Sequence, residues 1–196
     1  MWMLEYGSEF IPALKYKYVK KRIQKQKIKK YVLVGTDKMP VHRESLFEGR
    51  CSMMLPDSLI DMEVTDGIVG YRSLQSPQII KAATNGNAVL TFSLLPKAEA
   101  GMEAMDVSDR LEKLRQDMEK KWKQDVYYGT GEVQAGELKV SWMDLKSFCE
   151  KGNIYSFIFL FDINGDIVLG NFYCHFQHYA IWKPVIPKLL ATLEYK

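Results

Sequence analysis

Three oxygen-bearing side chains near the C-terminus, Asp162, Asn164 and Asp166, alternate along the chain as they do at the start of a calcium-binding loop. Such a loop needs glycine at its sixth position and a bidentate glutamate at its twelfth. Here the glycine is fourth (Gly165) and the twelfth residue is Tyr173. An Asn-Gly pair between two apolar runs also takes the positive φ angles of a type I′ hairpin turn. We therefore predict a turn at this place and no metal site.

Cys174, His175 and His178 form the only local group of soft metal ligands in the sequence. A zinc site needs four ligands. The other candidates are scattered along the chain: His42, Cys51 and Cys149. On a continued strand Cys174 and His178 would point to one side, which leaves a metal pair open, whereas His175 would point away from the Cys174 thiol. We expect a buried thiol with histidines at a strand end, because free cysteine commonly behaves as a small hydrophobic residue.

Recognised reaction motifs are absent from the sequence, including G-x-S-x-G, H-E-x-x-H, G-x-G-x-x-G and the phosphate-binding G-x-x-x-x-G-K-[ST]. The glycine pair Gly129-Thr-Gly131 is more simply a turn or bulge between strands. A hydrolase that uses Cys149 or Cys174 is left as a third hypothesis. We predict that the protein is not an enzyme and that it needs no cofactor.

Residues 1–36 differ from the rest of the chain in charge. They carry 9 Lys or Arg against 2 Glu, a net charge of +7, whereas residues 37–196 carry 18 basic and 22 acidic side chains, a net charge of −4. We predict a basic N-terminal arm over residues 1–36, with residues 15–30 as an arm or a marginal helix, followed by a single α+β domain over residues 37–196. The run Gly7–Phe10 also reads like a cloning-site scar, in which case part of the arm is vector-derived.

The basic arm supplies four candidate partner-binding residues, which are Lys20, Lys21, Arg22 and Lys25. Lysines with tyrosines between them could hold nucleic-acid phosphates while the rings stack on bases, or could lie on an anionic membrane surface. The arm could also contact the acidic body of a second copy, so a homo-oligomer stays open. A solvated arm without a partner is the alternative, because charge runs are often disordered.

Two methionines, Met102 and Met105, lie between predicted elements, where their side chains could be exposed. Methionine adapts to varied apolar partners. We therefore predict a protein-binding surface at these two residues, beside the long helix described next.

Apolar periodicity predicts the elements that carry these residues. Three pairs of runs are each joined by a turn signal and predict antiparallel hairpins: 79–83 with 88–95, 127–134 with 137–142, and 155–161 with 167–176. Shorter strands are predicted at 31–34, 49–55 and 67–72. Helical spacing predicts an amphipathic helix over 108–122, capped by Asp106 or Ser108, a closing helix from near Trp182 to Leu193, and one helical turn over 144–150. Strands in hairpins with helices beside them predict an α+β fold, an antiparallel meander sheet with helices on its faces.

The compartment predicted from the sequence is the cytoplasm. Three cysteines are an odd number with wide spacing, which fits reduced thiols better than a disulfide framework. No apolar run approaches the roughly 18–20 residues that a membrane-spanning helix needs, so we predict no transmembrane segment.

The order of elements resembles the PsbP-like α/β/α sandwich superfamily, which includes Ran-binding and secretion-effector-chaperone members. The resemblance covers roughly residues 47–196 and rests on three features. They are a strand that ends in proline (Cys51–Pro56), a mid-chain helix (Ser108–Trp122), and the closing hairpin Phe157–Phe172 followed by Cys174 and a helix that opens with Trp182-Lys183-Pro184.

That resemblance implies an antiparallel sheet between helices and a role in binding proteins without catalysis, and it transfers no site residue. We therefore predict a non-enzymatic protein-binding domain, adaptor-like or chaperone-like. Binding of nucleic acid or an anionic surface through the basic arm is the alternative.

Overall fold

The computed structural model of the protein describes residues 3–24, 26–62, 77–84, 86–95, 105–150 and 152–195. Within these ranges the helices are α1 (Met3–Gln24), α2 (Val107–Lys121), α3 (Tyr179–Trp182) and α4 (Ile186–Leu190), with a 3-10 turn at Phe176–His178. The strands are β1 (Tyr31–Val34), β2 (Asp37–Leu46), β3 (Cys51–Pro56), β4 (Leu59–Asp61), β5 (Ile79–Ala83), β6 (Ala88–Leu95), β7 (Val126–Ala135), β8 (Leu138–Cys149), β9 (Gly152–Ile163), β10 (Asp166–His175) and β11 (Glu194–Tyr195).

A large antiparallel sheet is the centre of the fold, with strand order β4-β5-β6-β10-β9-β8-β7. Strand β9, inside the sheet between β10 and β8, is apolar on both faces because both faces are covered. Ile158 and Leu160 contact one core cluster, whereas Phe157, Phe159 and Phe161 contact the other. Alternate residues of β9 therefore pack into the two cores that lie on opposite faces of the large sheet.

Helix α2 covers one face of the large sheet. Its buried side chains Val107, Leu111 and Met118 pack against Met143 and Leu145 of β8 and against the β9 residues of that side. Asp106 caps the helix, and its carboxylate accepts a hydrogen bond from the Val107 N–H at 2.7 Å. This confirms the helix predicted over residues 108–122.

The opposite face packs against α3, α4 and a small antiparallel sheet of order β1-β2-β3-β11. The last strand, β11, pairs Glu194 with Ser52 of β3. The Met54 N–H also donates to the Thr192 hydroxyl at 2.8 Å. The C-terminal residues thus close the edge of a sheet that begins near the N-terminus.

The predicted α+β class and the three predicted hairpins are confirmed. β5–β6, β7–β8 and β9–β10 all pair antiparallel. Asn164 and Gly165 have φ angles of 53° and 95°, as a turn with two positive φ residues requires. The strand predicted over residues 67–72 lies outside the described residues.

Two secondary-structure predictions were wrong. Residues 144–150, predicted as a helical turn, mostly form the end of β8, where Asp144 hydrogen-bonds with Tyr155 and Ser147 with Asp125. The closing helix is divided into α3 and α4, because Pro184 and Pro187 lack the N–H that a continuous helix needs. Strand β2 was not predicted at all, since most of its residues are polar.

Candidate binding surface around helix α1

The helix that carries the basic residues is attached to the body along one side. Tyr16, Val19 and Ile23 follow the three- and four-residue spacing of one helix face, and Ile23 is only 1% exposed. The Tyr16 ring stacks on Tyr179 of α3 with centroids 6.3 Å apart. Downstream of α1, Val32 and Val34 of β1 are buried in the same core.

Tyr16 belongs to a cluster of five aromatic rings centred on Tyr179. The centroid of the Tyr179 ring lies 4.8 Å from Phe176, 5.5 Å from Tyr155 and 6.4 Å from Tyr128. These rings come from β7, β9, α3 and the 3-10 turn. The cluster therefore joins α1 and the C-terminal helices to the sheet.

A buried charged group lies beneath these rings. The Asp144 side chain has no exposed surface, accepts a hydrogen bond from the Tyr155 hydroxyl at 3.0 Å, and forms an ion pair with Lys183 through the same oxygen. Burial raises the pKa of Asp144, against the opposing effects of Lys183 and Tyr155. Burial and the neighbouring Asp144 raise the pKa of Tyr155 well above its usual value, so that the hydroxyl keeps its proton.

The Lys183 ammonium completes this arrangement. It lies 5.5 Å from the centroid of the Tyr16 ring and 5.6 Å from that of Tyr128, within reach of cation–π attraction. Because Asp144 and Tyr155 have no exposed surface, they cannot contact a substrate. The Asp144–Tyr155–Lys183 group therefore anchors α1 and the α3–α4 segment to the sheet.

The outward side of α1 carries a row of apolar side chains that contact no core. Ile11, Leu14 and Tyr18 are 69%, 43% and 74% exposed and follow helical spacing, and we call them the apolar stripe. Exposed basic residues border the stripe; they are Lys15, Lys21 and Arg22. This is an amphipathic surface with positive charge beside apolar area.

A groove of about 480 Å³ adjoins the stripe, between α1 and the turn that joins β1 to β2. We call it the α1 groove; it is lined by Lys15, Tyr18, Val19, Arg22, Val34, Gly35, Thr36, Asp37 and Ile181. Gly35 has a φ of 64°, and a Cβ there would lie 3.2 Å from Ile181, so this wall depends on glycine. The groove has room for apolar side chains of a partner, and its two basic residues, Lys15 and Arg22, can pair with carboxylates of that partner.

The residues predicted to bind a partner do not form one surface. Lys20, Lys21 and Arg22 are exposed on α1. Met105 is half-buried just before α2, which covers the opposite face of the large sheet. Lys25 and Met102 lie outside the described residues. The apolar stripe was missed in the sequence, although its three- and four-residue spacing was a usable signal.

The structure buries two of the three cysteines and separates soft ligands that are neighbours in the sequence. Burial raises the pKa of the Cys174 thiol, and it raises that of Cys51 to about 11. His178 lies in the 3-10 turn, so the strand on which it would share a side with Cys174 has already ended. Over the described ranges, no group of three His, Cys, Asp or Glu side chains is placed to hold a metal ion.

A second cavity, of about 620 Å³, lies at the other end of the small sheet and is crossed by internal ion pairs. The buried Lys81 ammonium contacts Glu44 at 2.9 Å and Asp61 at 2.7 Å. Burial opposes the charged form of Lys81, but its hydrogen bonds to Asp61 and Glu44 outweigh this and raise its pKa. Arg50 in the same cavity pairs with Asp166 at 2.9 Å. Arg50, Lys81, Glu44 and Asp61 in this cavity are already paired within the protein, which favours α1 as the binding surface.

His42 extends this ion-pair network across the small sheet. Its ring nitrogens lie 2.8 Å from Asp57 and 2.8 Å from Glu44. Hydrogen bonds to Asp57 and then to Glu44 raise the pKa of His42. The imidazolium form is therefore favoured where it bridges the two carboxylates.

No helix in the described ranges combines the length and the apolar character needed to cross a membrane.

Comparison with known proteins shows the fold and does not assign a family. No protein-family model and no curated protein matches the sequence. Among solved structures, the chain is similar to cyanobacterial PsbP (CyanoP) from Synechocystis sp. PCC 6803, with 7% identity and a TM-score of 0.58 over 80% of this chain and 92% of that one. It is also similar to PA94, a Pseudomonas aeruginosa protein of unknown function, with 8% identity and a TM-score of 0.47 over 80% and 97%. The PsbP-like fold expected from the element order is confirmed, and at this identity the likeness extends to the fold alone.

Proposed function

We propose that this protein is a non-catalytic domain that binds a segment of another protein on helix α1. The observation that carries the proposal is the apolar stripe, in which three large side chains lie in solvent on a helix whose other side is anchored to the core. Exposed apolar area beside polar groups is typical of a protein-binding surface. The role we propose is that of an adaptor or a chaperone.

Charge and shape define the partner segment that would fit. Residues 1–36 carry a net charge of +7, so a partner with Asp or Glu beside its apolar residues is attracted to this helix. Its apolar side chains would cover Tyr18 and enter the α1 groove, where Val19, Val34 and Ile181 provide the contact area. An amphipathic acidic segment is the chemistry that matches both features.

The proposal can be tested by replacing the three side chains of the apolar stripe, which leaves the buried core residues unchanged. The variant Ile11→Ser/Leu14→Ser/Tyr18→Ser removes three exposed side chains, and a matched control, Ile60→Ser/Val126→Ser/Phe148→Ser, removes three exposed apolar side chains from other elements. Deletion of residues 1–36 is a poorer test, because it also removes the buried Ile23, Val32 and Val34.

Crosslinking from a photoreactive residue at position 18, followed by identification of the attached peptide, should give one acidic amphipathic segment. Wild type and control should bind that segment equally, and the stripe variant should bind it at least tenfold more weakly, since buried large side chains dominate interface energies. Equal binding by all three proteins would contradict the proposal.

Nucleic-acid or anionic-surface binding is the alternative, and the exposed cations of α1 favour it over any other second function. The variant Lys15→Gln/Lys17→Gln/Lys21→Gln/Arg22→Gln separates the two. Phosphate-driven binding falls steeply between about 50 and 200 mM salt. An apolar interface loses little over the same range, so a steep salt dependence with no effect of the stripe variant would favour the alternative.

We also propose a reducing compartment such as the cytoplasm for this activity. Cys51, Cys149 and Cys174 are all free thiols. The opposite charges of the N-terminal segment and the body also permit α1 of one copy to bind the body of another. Sedimentation at low and high salt distinguishes that self-association from capture of a different protein.

A further inference from the structure

A smaller cleft, of about 260 Å³, lies on the flank of α1 away from the apolar stripe. We call it the lysine–tryptophan cleft; it is lined by Tyr16, Lys20, Trp142, Phe157, Lys183, Pro184, Pro187 and Lys188. Rings and prolines make up its walls, and three lysines are the charged residues among the described residues that line it. It shares none of its lining residues with the α1 groove.

The aromatic floor of this cleft is held in a fixed position. Trp142 stacks on Phe157 with centroids 4.8 Å apart and planes inclined by 22°, and Phe157 is fully buried beneath it. Gly131 of the neighbouring strand β7 lies directly against the indole, since a Cβ at this glycine would come within 2.6 Å of the ring. The indole is therefore supported by the sheet and by Phe157, while it remains only half-buried.

The polar groups of the cleft favour an anion. Asp144 holds Lys183 in the wall, so this lysine is positioned but largely neutralised. Lys20 is exposed on α1, with its ammonium 5.6 Å from the centroid of the Tyr16 ring. Lys188 of α4 lines the cleft as well. Positive charge at the edge of an aromatic floor suits a ligand that has a ring at one end and a negative group at the other.

We propose that the lysine–tryptophan cleft binds a small aromatic anion, an aryl phosphate or an aryl carboxylate, with its ring against Trp142 and its anionic group toward Lys20. Pockets for drug-sized ligands span roughly 300–1,000 Å³. The volume of 260 Å³ lies just below that range, so a ligand with a single ring is the size that fits. This site is separate from the protein-binding surface and does not depend on it.

Titration calorimetry of the full chain tests the proposal with phenyl phosphate as the probe. Phenol supplies the ring without the charge, and inorganic phosphate supplies the charge without the ring. Phenyl phosphate should bind at least tenfold more tightly than either one. If inorganic phosphate binds equally well, the site recognises only anions, and if phenol binds equally well, it recognises only apolar groups; either result overturns the proposal.

Point variants locate the bound probe. Lys20→Gln should lower the affinity for phenyl phosphate about tenfold, which is the factor expected for the loss of one charge-assisted hydrogen bond. Lys15→Gln, on the opposite flank of α1, is the matched control and should leave the affinity unchanged. Phenyl phosphate should also change the tryptophan fluorescence of the wild type but not that of Trp142→Phe. Equal affinities for the two lysine variants would overturn the proposal. The apolar-stripe variant should still bind the probe, so failure of the protein-binding proposal would be seen separately.

Discussion

The buried ion pair between Asp144 and Lys183 supports the sharpest test of how α1 and the C-terminal helices are held. The Asp144 side chain has no exposed surface, whereas that of Lys183 is 18% exposed. Lys183→Met leaves a fully buried carboxylate without its cation, and we expect it to lower the free energy of unfolding by about 3–5 kcal/mol at pH 7. Asp144→Asn should cost less, about 1–3 kcal/mol, because Lys183 can turn toward water and Tyr155 can still donate to the amide oxygen.

The double variant Asp144→Asn/Lys183→Met measures the coupling between the two residues. It removes both charges together, so its stability should come within about 1 kcal/mol of Asp144→Asn alone. Urea unfolding followed by tryptophan fluorescence and circular dichroism provides the free energies. Strictly additive losses would show that the two charges do not interact as the structure indicates.

Acidity provides a second check on the same pair. Burial raises the pKa of Asp144 and Lys183 opposes that rise, so the pKa should be higher still in Lys183→Met. A group whose pKa is raised on folding contributes stability below its unfolded pKa and loses that contribution as the pH rises through the folded value. The deficit of Lys183→Met should therefore shrink between pH 7 and about pH 4.5 as the carboxyl group takes up a proton. A deficit that stays constant, or a larger loss for Asp144→Asn than for Lys183→Met, would refute the reasoning.

Further tests address other parts of the fold. Gly170→Ala should destabilise the protein by about 1–3 kcal/mol in urea unfolding, because a Cβ there would lie 2.0 Å from the Phe159 ring in the buried core. His42→Gln should cost no more than about 1 kcal/mol, and only in acid, because the raised pKa of this exposed histidine adds stability below about pH 6.5 that is lost as the pH rises through its folded pKa. Asp106→Ala should lower the free energy of unfolding by about 0.5–2 kcal/mol, because α2 loses its cap. Faster amide hydrogen exchange in the first turn of α2 would detect this loss. Cys149 should react first with a thiol reagent in the folded protein, ahead of the two buried cysteines, and equal rates for all three would contradict the burial pattern.

Local signals explain what could be predicted from the sequence. The turn at Asn164-Gly165 is favoured by its own two residues, and the two apolar runs that it joins are neighbours in sequence. Helix α2 was equally clear, because Leu111 and Met118 lie on one face with charged residues between them. Both elements follow from spacing within fewer than about twenty residues.

The anchoring of α1 could not be predicted by the same means. Tyr16, Val19 and Ile23 pack inward while the apolar stripe lies on the outward side, so apolar residues occur on both sides of the helix and hide its period. The Asp144–Lys183 pair joins residues far apart in sequence, and its acid and base give no local sign of burial. The residues that line the α1 groove and the lysine–tryptophan cleft become neighbours only through tertiary packing.

The small sheet has a consequence for how the protein is made. Its inner strand β3 ends at Pro56, but the partner strand β11 starts at Glu194, so a ribosome must add residues 57–194 before that edge is covered. At roughly 5–20 residues per second, the wait is about seven to thirty seconds. During translation the unpaired amides of β3 are open to any nascent strand nearby. A stop codon just before position 192 would make that exposure permanent, so such products should be prime substrates for cellular quality control.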